Sequence, residues 1–232
     1  MRVKRRQDHT WRLFFKRTVS AQIHLLTCFF AIVAIRILLP LVEQRGALHY
    51  WAVLIFGATS ILLFAVSSIF HFMMDGFEMS EKLEAFMERL DHWAIYFFIA
   101  GTYTPFIINT VYSDWRNFML MMVWSLAIVG VFYTALKSKL PKWAQSRAFY
   151  TSVFVLMGWT AIVRMDEVSA HLNSKALFFL FAGGAAYIVG AFVYATKRPR
   201  LMSGFFGFHE LWHVLVTMGF IFHYKMIESF YY

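Results

Sequence analysis

Long stretches free of Lys, Arg, Asp and Glu alternate with short charged segments along this 232-residue chain. The charge-free runs cover 18–35, 46–74, 92–113, 117–136, 148–163, 176–196 and 211–224. A helix that crosses the hydrocarbon core of a bilayer needs ~20 mainly apolar residues, within a range of roughly 17–25. Five of the runs meet that length alone; 148–163 and 211–224 reach it once the apolar residues beyond a bounding charge are counted. The pattern predicts seven spans, over 21–42, 49–74, 91–112, 117–137, 147–165, 175–196 and 203–224. The expected fold class is an all-α integral membrane protein. It is a seven-helix bundle over 21–224, with a basic tail over 1–20 and a short tail over 225–232.

Composition supports that reading and charge orients it. The chain is 60% hydrophobic and only 15% charged, against about a quarter charged in a soluble domain. Sixteen Lys/Arg fall in the first tail and in the loops after spans two, four and six, five fall on the opposite side, and Arg36 lies within span one. Basic residues collect on the cytosolic side of membrane proteins, so the N-terminus is expected in the cytosol and the C-terminus outside. The net charge of +9 is therefore assigned to loops at a membrane and not to nucleic-acid binding. Arg36 is expected to snorkel to the outer interface or to pair with an acid. The single cysteine, Cys28, sits in span one, which leaves no disulfide framework. The first apolar run is too long for a cleavable signal peptide and no small-residue cleavage site follows it. Loop 2–3, with five acids against two bases, reads as a short interfacial helix. Ser80 would cap it, Glu81 and Glu84 suit its first turn, and Leu83, Phe86, Met87 and Leu90 share one face.

Ionisable residues inside spans are costly, ~2.5–3.5 kcal/mol each on insertion scales at the helix centre, so each one needs a reason. Span two ends in Ser67-Ser68-Ile69-Phe70-His71, span three begins Leu90-Asp91-His92, and span seven begins with His209-Glu210-Leu211-Trp212-His213. The orientation taken from loop charge puts His71, Asp91, His209 and His213 at one membrane depth. His209 and His213 are one helical turn apart and project from one face, and Ser67 stands one turn from His71. Three neutral imidazoles leave one tetrahedral position open for water, as in catalytic zinc sites. Asp91 would accept a proton or hydrogen bond from that water, whose pKa zinc would bring towards ~7. The predicted metal ligands are thus His71, His209 and His213, the predicted cofactor is Zn²⁺, and Asp91 is the acid beside it. Imidazoles also accept other first-row ions.

The segments SSIFHF (67–72), RLDHWAIYFFIAGTYTPF (89–106) and KRPRLMSGFFGFHELWHVLVTMGFIFHY (197–224) closely resemble the hemolysin III branch of the progestin and adipoQ receptor family. The layout resembles that family over nearly the whole chain, while the specificity resides in these three blocks; HxxxH alone is a weak signal. The resemblance implies a seven-helix bundle with zinc on the histidines at positions 71, 209 and 213. It also implies an acid at Asp91 and a hydroxyl at Ser67 near the zinc-bound water. The short N-terminal tail is similar to the bacterial branch, which implies a bacterial plasma (inner) membrane. The family is similar in site layout to alkaline ceramidases, so hydrolysis of a lipid amide is an implied activity, with membrane lipids such as a ceramide-like or fatty-acid molecule as ligands.

Three functions are consistent with these residues: a zinc-dependent lipid amide hydrolase serving membrane lipid homeostasis, a non-enzymatic membrane-state sensor braced by zinc, and a pore-forming haemolysin. The stretch His209-Glu210-x-x-His213 also has the HExxH form of zinc metalloproteases. Those enzymes need a further ligand, and Glu228, the one acid after His213, lies 15 residues on, ~22 Å along a helix. Glu210 is instead expected at the headgroups or bonded to a neighbouring helix. Pro105 is expected to kink span three near Gly101 and widen a cavity into which Tyr103 points. His223, ~15 Å deeper than His213, reads as a packing residue or a lining of that cavity. His92 reads as packing. His9, His24, His49 and His171 fall in tails, loops or span ends and suggest no role.

Overall fold

A backbone N–H or C=O left unpaired in hydrocarbon costs several kcal/mol, so chains that cross bilayers do so as helices or closed barrels. The computed structural model describes residues 18–199, 201 and 206–232, and these described residues form seven helical rods. These are α1 (Val19–Glu43), α2 (Ala47–Gly76), α3 (Glu81–Thr110), α4 (Trp115–Leu136, followed by a 3-10 turn Lys137–Lys139), α5 (Arg147–His171), α6 (Ser174–Thr196) and α7 (Phe208–Glu228). Among the described residues there is no β-strand. Most of the basic tail expected over 1–20 lies outside the described residues.

Local chemistry sets the helix starts. The Ser80 hydroxyl accepts from the Leu83 N–H at 3.3 Å, Ser146 from Phe149 at 3.3 Å, and the Asn173 side-chain oxygen from Ala176 at 2.8 Å, each satisfying an orphan donor of a first turn. Hydroxyls within the helices turn back to their own backbone. Ser60, Thr102, Thr104 and Thr110 donate to the carbonyl four residues earlier at 2.7–2.9 Å. Polarity in this bundle is therefore mostly consumed locally.

The rods close into a ring. Helix α1 packs on α2, α2 on α3, α3 on α4, α5 on α6, α6 on α7, and α7 returns to α1. Helix α3 also touches α5 and α7, which places it toward the interior. Large apolar side chains point outward, with Leu26, Phe192 and Leu156 exposed by 70%, 68% and 67%. This is the reverse of a soluble fold and the surface that lipid tails require. Five rods are long and apolar enough to cross a membrane by length and composition: α1, α2, α4 with its 3-10 turn, α5 and α6. Rods α3 and α7 are more polar: they carry Asp91, His92, His209, Glu210, His213 and His223.

Three boundaries differ from expectation. The interfacial helix of loop 2–3 is not separate: Ser80 caps it as expected, but it runs without a break into span three and through Pro105 to Thr110. No glycine or proline lies between residues 80 and 101, so nothing in the chain stops the helix where the charges stop. The last helix begins at Phe208 and ends at Glu228, not at 224. Helix α5 is α-helical over Arg147–Gly158, winds as 3-10 over Trp159–Arg164, and resumes over Met165–His171. The Tyr103 hydroxyl of α3 holds this segment, donating to the Gly158 carbonyl at 2.5 Å and accepting from the Ala161 N–H at 3.2 Å.

Candidate metal centre

Three imidazoles meet at the end of the bundle where α1, α3 and α7 begin and α2 ends. His71 comes from the last turns of α2, and His209 and His213 from the first turns of α7. Their rings form a nearly equilateral triangle with centroid separations of 4.8 Å (His71–His209), 4.7 Å (His71–His213) and 4.7 Å (His209–His213). One nitrogen from each lies within 4.8 Å of the other two, an arrangement that could hold a metal ion. The Nε2 atoms of His209 and His213 are 3.1 Å apart, close to the ~3.4 Å between two ligands on a tetrahedral ion with bonds of ~2.0–2.1 Å.

Buried side-chain nitrogens and oxygens nearly always have partners, yet His71 Nδ1 and Asp91 Oδ1 are buried with none in the protein. Asp91 and Ser67 line the same cavity as the three histidines, and the Ser67 hydroxyl is a hydrogen-bonding neighbour of the Asp91 carboxyl. Soft thiolates are absent and the ligands are imidazoles, which suits Zn²⁺ and related first-row ions.

His24, which sequence reasoning left without a role, belongs to this centre. Its ring, 2% exposed, places Nε2 at 2.9 Å and Nδ1 at 3.1 Å from His213 Nδ1. Both nitrogens of His213 are thus engaged, one towards His209 and one towards His24. A signal was present in span one: His24, Thr27, Ala31, Ala34 and Leu38 are all buried and recur at helical spacing, a stripe that marks the face turned inward. Glu210 bonds a neighbouring helix. One carboxylate oxygen accepts from the Gly207 N–H at 2.8 Å, capping α7, and the other accepts from the Ser20 hydroxyl of α1 at 3.1 Å. His92 packs its ring on Tyr150 at 4.9 Å. Tyr194, also unforeseen, lies 5.8 Å from the His209 ring, with the Arg147 guanidinium 4.3 Å over its own ring and its hydroxyl bonded to Tyr150 at 2.9 Å.

Below the histidines a cavity of about 560 Å³ runs into the bundle. Its walls are mainly apolar, from Phe98, Phe154, Leu180 and Val216 among others, and Tyr103 and His223 line it. Trp159 and Ile162 of α5, with Phe181 and Ile188 of α6, line the cavity and also lie on the outer surface, 42–58% exposed. The cavity therefore opens sideways between α5 and α6, where lipid tails would lie.

A family model described as "Haemolysin-III related" matches residues 13–224. The chain belongs to this haemolysin-III family. It is 32% identical over 165 residues to "Hemolysin-3 homolog" of Bacillus subtilis (strain 168), covering 71% of this chain and 70% of that protein. It is 29% identical to "Hemolysin-3" of Bacillus cereus over 211 residues, 89% of this chain and 88% of the relative. "Monocyte to macrophage differentiation factor" of Homo sapiens is 25% identical over 179 residues, 77% of this chain and 69% of that one. The haemolysin-III match covers all of α1–α6 and most of α7, so it includes every histidine of the triangle.

Proposed function

We propose that this membrane protein is a zinc-dependent hydrolase of a lipid amide, working at the cytosolic leaflet of a bacterial plasma membrane in lipid homeostasis. The observation that carries the reading is a buried, partnerless Asp91 oxygen on a residue that lines one apolar cavity together with three imidazoles. His71, His209 and His213 would hold the ion. When bound, it supplies Lewis-acid polarisation of the amide carbonyl and makes a water more acidic.

The chain's own groups do the rest. Asp91 accepts the proton that the water gives up as its oxygen joins the acyl carbon, and passes that proton to the departing amine nitrogen when the C–N bond breaks. One water is consumed and a fatty acid and an amine are released. Ser67 holds the Asp91 carboxyl in orientation, so the same oxygen serves both transfers. The apolar walls receive the acyl chain and exclude bulk water, which strengthens the electrostatic interactions at the site. The lateral opening admits a substrate that never leaves the bilayer.

A second reading is favoured by the His24–His213 contact and the Ser20–Glu210 bond, which join α1 to α7 at the same end. With His71 from α2, a bound ion would brace three helices, and the protein would act as a membrane-state sensor without turnover. The two readings separate in one experiment. Zinc-loaded protein in nanodiscs is incubated with ceramide and with simple N-acyl amides, and released fatty acid is measured beside Asp91→Asn. Release by the wild type that the variant lacks supports the hydrolase; none from a folded, zinc-replete protein leaves the brace. Lysis of vesicles by the purified protein with discrete conductance steps would instead favour the pore that the relatives' names suggest.

A further inference from the structure

Two further residues that line the cavity carry a buried polar atom without a partner, and they sit far from the metal centre. The Tyr187 hydroxyl of α6 and His223 Nδ1 of α7 are buried without a hydrogen bond, although both residues line the cavity. Their rings meet edge to face with centroids 5.4 Å apart. His223 follows His213 by ten residues, about 15 Å along the helix. The mechanism above uses neither residue.

The pair is held in place reciprocally. A Cβ on Gly183 of α6 would collide with the His223 ring, and a Cβ on Gly219 of α7 would collide with the Tyr187 ring. Each helix thus gives up a side chain where the other inserts its ring, which fixes both rings against the cavity wall. A mere packing role needs neither a hydroxyl nor an imidazole, since phenylalanine and leucine fill such space without unpaired polar atoms.

The tautomer decides what the pair recognises. His223 Nε2 lies 3.3 Å from the Leu180 carbonyl oxygen, and a carbonyl only accepts, so Nε2 carries the proton. Nδ1 is left as a lone-pair acceptor, while the Tyr187 hydroxyl can donate. The complement is a neutral group that both donates and accepts, as a hydroxyl does. A carboxylate would place its oxygens against the Nδ1 lone pair.

We infer that Tyr187 and His223 form a second polar subsite, which selects an acyl chain bearing a hydroxyl about 15 Å from its carbonyl. The inference rests on the lipid-amide reading for what occupies the cavity, and it adds the substrate class: hydroxylated acyl chains before unsubstituted ones.

The test compares laurate with ω-hydroxylaurate, whose ends are roughly 14 Å apart on carbon–carbon bonds of ~1.5 Å. Binding is measured by native mass spectrometry from nanodiscs, with zinc-loaded and with chelated protein. The wild type should hold ω-hydroxylaurate about five- to tenfold more tightly than laurate, the scale of one net buried hydrogen bond. Tyr187→Phe and His223→Leu should abolish the preference while laurate affinity changes little. Thermal midpoints show that the variants fold, and either variant suffices. Equal binding of the two acids by the wild type, a preference that survives both substitutions, or no binding of either acid overturns the subsite. Failure of the hydrolase reading appears separately, as absent product with the preference intact.

Discussion

His24 on the first helix lies 2.9 Å from the Nδ1 atom of His213 on the last. A histidine that binds a metal through one ring nitrogen usually gives the other to a partner that fixes its orientation. Here that partner is another imidazole, contributed by the helix that closes the ring of the bundle. Replacing it should loosen the ligand without removing one. His24→Ala is expected to weaken zinc binding about tenfold to a hundredfold, with one ion per chain still bound at saturation. Competition with a chromogenic chelator measures this, and unchanged affinity would separate His24 from the centre.

Removal of a ligand itself should be harsher. His71→Ala, His209→Ala and His213→Ala are each expected to lose the ion during purification, as read by elemental analysis. Chelation of the wild type should lower its thermal midpoint, since an ion at 1,000 times its Kd stabilises by about 4 kcal/mol. The three variants should show no further drop with chelator. Full metal content in any one of them would remove that residue from the ligand set.

Asp91 and Glu210 give opposite expectations. Asp91→Asn keeps the shape and removes the proton acceptor, so amide hydrolysis should fall by at least ~100-fold, the scale of general acid–base catalysis, with zinc retained. In Glu210→Gln the rate should stay within about threefold, because that carboxylate is spent on the Gly207 N–H and the Ser20 hydroxyl. Its loss should appear as stability, on the order of 1 kcal/mol for a helix cap. Should Glu210→Gln abolish turnover and Asp91→Asn spare it, the general base has been assigned to the wrong acid.

Tyr103→Phe deletes the hydroxyl that bridges the Gly158 carbonyl and the Ala161 N–H. Each of these two backbone groups would lose one hydrogen bond beyond that of the 3-10 turn itself, at a cost of about 0.5–1.5 kcal/mol. Hydrogen exchange should rise at residues 158–164 and stay unchanged in α2. Protection equal to that of the wild type would show that the 3-10 winding is intrinsic to α5.

Much of the architecture is legible in the chain because charge is so sparing. Each run free of charge became a helix, and two of the three blocks with polar residues at span ends supplied the triangle of His71, His209 and His213. What escaped reading has physical causes. Charge separates the segment from Glu81 to Leu90 from span three because charge marks where lipid ends, whereas a helix ends only where capping or a breaker ends it. His24 is hard to place from sequence because a single histidine near a span end carries no spacing of its own; only the buried stripe beneath it shows which way it faces. The tighter winding in α5 is met by a hydroxyl from Tyr103, more than fifty residues away, and no local pattern encodes that bond.

The winding of α5 has a geometric result. A 3-10 helix turns about 120° per residue where an α-helix turns about 100°, so six residues advance the following turn by roughly a further 120°. Residues three apart then stack in a straight file, and Trp159, Ile162 and Met165 all flank the cavity in that way. One edge of the doorway is accordingly a palisade of three large side chains, set by how tightly the backbone beneath them is wound.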